Sequence, residues 1–125
     1  MTRASTVVQM LIRACFVVQL LLGGLFWTNN ARGLIPLHQL VGFILVIAIW
    51  VQAGIAARAG VNLGLVAFAA VWALVVPILG LNQTELLPGS AHWVIQVLHL
   101  LVGIAAVGLA ERLAAGAQGR RLARS

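Results

Sequence analysis

Four long apolar stretches dominate the chain, at roughly residues 6–28, 34–57, 61–81 and 91–114. Each reaches the length of about 20 residues that an α-helix needs to cross a bilayer core. Short polar runs, roughly 29–33, 58–60 and 82–90, separate them. Connections this short force neighbouring helices antiparallel. The pattern therefore predicts an all-α fold, a transmembrane up-down-up-down four-helix bundle forming one membrane domain over residues 1–125.

The punctuation agrees. Pro36 suits the first turn of the second helix, where a missing N–H costs nothing. Pro88-Gly89-Ser90 predicts a turn leading into an N-cap for the fourth helix. Pro77 falls inside the third helix and is expected to kink it. The tail AAGAQGRRLARS is expected to fray into water and lipid headgroups. The first stretch is read as retained, because Trp27-Thr28-Asn29-Asn30 offers no small-residue cleavage signal and the stretch is too long for a signal peptide.

Composition strengthens the membrane reading. The chain is 62% hydrophobic and 8% charged over 125 residues, with a mean hydropathy of +1.08. A soluble domain is nearer half apolar and a quarter charged.

Charge adds an orientation. All eight basic residues are arginine. Arg3, Arg13, Arg58, Arg112, Arg120, Arg121 and Arg124 belong to one side, and only Arg32 to the other. The positive-inside rule then puts both termini and the second loop in the cytoplasm, with the inner membrane of a prokaryotic-type cell as the expected location. The net charge of +6 is topogenic, with anionic lipid headgroups as its partners, and requires no nucleic acid. Trp27 and Trp93 fall at the outer ends of their stretches, as an aromatic belt requires.

The apolar stretches contain a repeat. Leu-His-Gln-Leu-Val-Gly at 37–42 recurs as Leu-His-Leu-Leu-Val-Gly at 98–103, offset by 61 residues. Each copy follows a helix ending in Leu-Gly and an outer loop. A second register, offset by 54, aligns Gly54–Arg58 with Gly108–Arg112 and would pair His38 with His92 instead of His99.

Histidine inside a membrane span is costly and by default suggests a functional site. His38, His92 and His99 have no carboxylate deep in a span to pair with them. Imidazole suits iron, zinc and copper. Zinc would normally require four ligands, and the single Cys15 is expected near the far end of the first helix. His92 and His99 are seven residues apart, about 10 Å along a helix, and cannot hold one small ion together. A haem needs only one axial ligand on each side, which facing helices of a bundle can supply.

Glycines fit that chemistry. Gly42 and Gly103 lie four residues past His38 and His99, on the same helical face. Gly23, Gly24 and Gly80 fall near the outer ends of the first and third helices. A flat macrocycle needs such positions without side chains. Taken singly, these residues also have a plainer reading: interhelical hydrogen bonding for histidine and close helix packing for glycine. The offset-61 register favours His38 and His99 as ligands of a haem b. His92, two residues after Ser90 at the aqueous rim, is then left for a haem propionate or the headgroups, or is the second ligand if the other register holds.

The Leu-Gly closure, outer loop and early histidine resemble one four-helix half of the heme A synthase family. In that family each half holds haem between a histidine of its second helix and one of its fourth. The resemblance covers most of the chain and implies His38 and His99 as ligands. The chain departs from the family's catalytic half, with Ile35 where Glu-x-x-His would place the glutamate, and it lacks the outer-loop cysteine pair. What the resemblance implies is thus the haem-holding half, without haem A synthesis by this chain alone.

Other residues have simpler expectations. Arg13 is read as snorkelling to the interface, or else pairing with lipid or a partner subunit, and Glu111 as pairing locally with an arginine. Glu85 is a solvated loop carboxylate. Gln9, Gln19, Gln39, Gln52 and Gln96 are read as interhelical hydrogen-bonding groups, with quinone ligation as the alternative, and Trp50 and Trp72 as packing residues. Two functional classes follow. One is a b-type cytochrome exchanging electrons with a quinone or redox protein, since two axial histidines favour electron transfer over oxygen activation. The other is a small transporter, channel or accessory subunit without haem. A homodimer is expected, with small-residue faces at Ala48, Gly54 and Ala57, at Ala67, Ala70 and Ala73, and at Gly103, Ala106, Gly108 and Ala110.

Overall fold

A computed structural model describes residues 2–125. Four α-helices make up the chain: α1 Arg3–Trp27, α2 Ile35–Arg58, α3 Leu63–Asn82 and α4 His92–Leu122, with a 3-10 turn Arg32–Leu34 before α2. Among the described residues there is no strand. All four helices are long and apolar enough to cross a membrane.

Side-chain caps start two of them. The Thr2 hydroxyl accepts the Ser5 N–H at 3.1 Å, and Asn62 Oδ1 accepts the Leu65 N–H at 3.1 Å. Each satisfies an amide that the first turn leaves open. Pro36 occupies the first turn of α2, and Pro77 lies within α3. The start of α4 differs from expectation. Its cap is Ala91 without a side-chain hydrogen bond, not Ser90. The chain turns instead at Gly89, whose φ of +92° suits a residue without Cβ, and the Gly89 carbonyl accepts the His92 N–H at 3.1 Å.

The distribution of side chains is inverted relative to a soluble bundle. Val7, Leu21, Leu63, Val71, Ile78 and Leu101 point outward, each more than half exposed. Alanine is the commonest residue of the interior, where Ala48, Ala53, Ala69, Ala73, Ala106 and Ala110 are buried. Small residues let helix backbones approach closely where lipid tails replace water outside. Ile12, Ile49 and Leu113 fill the remaining space, fully buried.

Contacts between helices are not uniform. α1 packs on α2 and α4, α3 packs on α2 and α4, and α2 also touches α4; α1 and α3 make no contact among the described residues. The two histidine-bearing helices thus form the short diagonal of the bundle.

Two further expectations are corrected. The tail does not fray after residue 114: α4 continues to Leu122, because Leu113, Ala114 and Ala117 are buried, Leu113 and Ala117 against Ala53, Ala56 and Val61. Arg13 does not stand alone, and Glu111 does not pair locally. Arg13 Nε and Nη2 donate to the two Glu111 carboxylate oxygens at 2.7 and 2.9 Å, joining α1 to α4. Each charge thereby finds a bidentate partner on another helix, the strongest geometry open to an arginine.

Candidate functional site

His38 lies on the first turn of α2 and His99 on the second turn of α4. The two imidazole centroids are 6.3 Å apart, with the rings inclined at 56°. Phe26 of α1 meets His38 edge-on at 5.4 Å and 75°. Each histidine also rests against a glycine of the preceding helix. A Cβ on Gly23 would lie 3.9 Å from His38 Cε1, and one on Gly80 only 2.8 Å from His99 Cε1. The repeat in the sequence is therefore a repeat of contacts: odd-helix glycine beneath even-helix histidine, twice.

Two tryptophans pin the helices that carry this site. Trp72 Nε1 donates to the Val102 carbonyl at 3.0 Å, one turn past His99, tying α3 to α4. Trp50 Nε1 donates to the Ala70 carbonyl at 3.0 Å, tying α2 to α3. Both do more than the packing expected of them.

The polar atoms here are incompletely satisfied. Nδ1 of His38 and Nδ1 of His99 are buried and have no hydrogen-bond partner among the described residues. The same holds for Oε1 of Gln19 and of Gln83. Buried polar atoms are normally paired, and an orphan invites a ligand or water. Gln52 does bond across helices as expected, Nε2 donating to the Ser5 hydroxyl at 3.1 Å. Gln9 is buried with neither amide atom partnered.

The remaining candidates are placed differently. His92 sits at the start of α4, where Nδ1–H donates to the Leu86 carbonyl at 3.2 Å. Its side chain is bonded to the loop before α4 and makes no ring contact with the His38–His99 pair. Gly42 faces Gln19, whose Nε2 would be 3.0 Å from a Cβ there, so its open side receives an amide and not bare space. Gly24 and Gly103 have no such neighbour within 4 Å. Gln19, expected to bond between helices, instead lays its amide against Gly42 with Oε1 unpartnered.

The donor set can be tested against its possible occupants. No group of three or more His, Cys, Asp or Glu side chains converges among the described residues, so a protein-caged zinc finds no home. Two imidazoles facing each other suit an ion that brings its other ligands with it. His38 and His99 stand 6.3 Å apart on contacting helices, each with its Cε1 edge toward the glycine of the preceding helix, and imidazole is a donor type that haem iron takes.

Comparison of the chain with protein families, curated proteins and solved structures finds no match.

Proposed function

We propose that this chain is an integral membrane b-type cytochrome that carries an electron. The observation that supports it is the His38–His99 pair: two imidazoles 6.3 Å apart on contacting helices, each with a buried nitrogen lacking a partner. When bound, haem b supplies a one-electron iron couple. The chain's own residues do the rest. His38 and His99 would hold the haem, and two protein ligands on its iron would disfavour oxygen binding. Gly23 and Gly80 leave room for the rings, Phe26 braces His38, and Trp72 fixes the turn of α4 beneath His99.

The bundle runs up-down-up-down, with both termini in the cytoplasm by the arginine asymmetry. This arrangement is similar to the haem-holding half of the heme A synthase family. A quinone or a redox protein in the same membrane is the electron partner. A chain resembling half of a two-bundle protein completes itself as a two-fold homodimer. Within the small-residue faces, Ala48, Ala73, Ala106 and Ala110 are already buried inside the bundle. The exposed Gly54, Ala67 and Gly108 remain for a second copy.

The visible spectrum of protein purified from haem-replete cells tests the reading. A Soret band with sharp low-spin bands on reduction is expected. A colourless protein overturns it and leaves a haem-free transporter or accessory subunit.

A further inference from the structure

The end of the bundle opposite the histidines holds a half-open cavity of about 400 Å³ between the start of α1, the end of α2 and the end of α4. Arg58, Arg121 and Arg124 line it, with Thr2, Ser5 and Gln118. Its inner wall is apolar, formed by Ala4, Ile55, Ala59 and Ala117. No carboxylate lines it. The chain has only two acidic side chains, Glu85 in the loop at the other end and Glu111, which Arg13 already holds. Among the described residues no acidic side chain is bonded to any of the three arginines.

The Arg124 guanidinium reaches back to the turn after α2. The Arg58 helix end turns at Gly60, where φ is +87°, and a Cβ on Gly60 would lie 2.9 Å from Arg124 Nη2. Glycine takes that positive φ without strain, and the guanidinium lies against it. The extension of α4 to Leu122 is what carries Arg121 and Arg124 to this position. The N-terminus of α1 adds its partial positive charge to the same space.

We infer that this cavity is a binding site for the phosphate headgroup of an anionic phospholipid. Guanidinium forks match phosphate oxygens, and three without a protein anion supply both charge and hydrogen bonds. The apolar wall suits the glycerol and upper acyl carbons, which a free phosphate would leave empty. Basic pockets between membrane helices are a recurrent means of holding such headgroups. The site stands at the far end from the histidines and is independent of haem.

The test uses the purified full chain in a zwitterionic detergent, with dioctanoyl phosphatidylglycerol as probe and dioctanoyl phosphatidylcholine as comparison, binding followed by native mass spectrometry. The phosphatidylglycerol is expected to bind in preference, and Arg58→Gln, Arg121→Gln and Arg124→Gln each to weaken it about fivefold. Arg120→Gln removes the same charge from the same helix without lining the cavity, and is expected to change binding by less than about twofold. Equal weakening by Arg120→Gln would reduce the site to diffuse surface charge and overturn it. Equal binding of phosphatidylcholine would do the same. Displacement of the lipid by inorganic phosphate would assign the cavity to a free anion and overturn the lipid.

Discussion

Gly80 on α3 and His99 on α4 are packed so closely that a Cβ on the glycine would stand 2.8 Å from Cε1 of the imidazole. Real Cβ atoms do not approach that far, so Gly80→Ala must push the ring aside. Trp72 holds the turn of α4 through the Val102 carbonyl, so the adjustment falls on the His99 side chain. Overpacking of this kind costs about 1–3 kcal/mol. Gly80→Ala is expected to lower both the thermal midpoint and the haem retained per chain. Gly24→Ala, with nothing within 4 Å, is expected to change neither. Equal behaviour of the two variants would show that the contact does not position His99.

Ligand identity gives a sharper contrast. His38 and His99 face each other, whereas His92 is engaged by the Leu86 carbonyl in the preceding loop. On the proposed haem reading, His38→Ala and His99→Ala are each expected to abolish the low-spin spectrum, and His92→Ala to leave it intact. Loss of the spectrum in His92→Ala with its survival in His99→Ala would reverse the assignment.

Much of this architecture is readable before any coordinates. Hydropathy marks four helices because a span must be apolar along its whole length, and their observed ends lie within a few residues of the apolar limits except at α4. The facing of His38 and His99 follows from a repeat whose copies hold equivalent depths. The end of α4 was lost because alanine, glycine and arginine dilute its hydropathy. Yet Leu113, Ala114, Ala117 and Arg121 recur at helical spacing on one face, a signal that hydropathy averaging erases. The Arg13–Glu111 pair, separated by 98 residues, could not be read locally. Nor could the carbonyl partners of Trp50 and Trp72, which depend on the rotation of each helix about its axis.

Those tryptophan bonds are testable. Trp72→Phe keeps the aromatic bulk but removes the N–H that bonds to Val102. Interhelical hydrogen bonds in membrane proteins contribute about 0.6 kcal/mol on average and up to about 1.7. Trp72→Phe and Trp50→Phe are each expected to lower stability within that range in a denaturing-detergent titration followed by circular dichroism. Trp72→Phe should also broaden any haem signal, since the turn it holds lies next to His99; Trp50→Phe should not. An unchanged titration for Trp72→Phe would mean that the Val102 carbonyl gains nothing from its second donor.

The Arg13–Glu111 pair makes the strongest energetic claim about the bundle. Arg13 lies ten residues past Arg3, about 15 Å along α1, and Glu111 an equal distance before Arg121 on α4. Both lie well inside the helices' ends with their side chains on the outer surface of the bundle, so on the proposed membrane placement an unpaired charge there faces lipid instead of water. Removing one partner leaves the other uncompensated, whereas removing both leaves a neutral, hydrogen-bonding pair. Glu111→Gln and Arg13→Gln are each expected to lower the thermal midpoint in lipid nanodiscs, and the double variant to recover most of the loss. In detergent with a wide aqueous rim the single variants should be milder, because water then reaches the freed charge. If the double variant loses as much as the two singles added together, the ion pair does not couple α1 to α4, and the contact is a by-product of packing that Ile12 and its neighbours already fix.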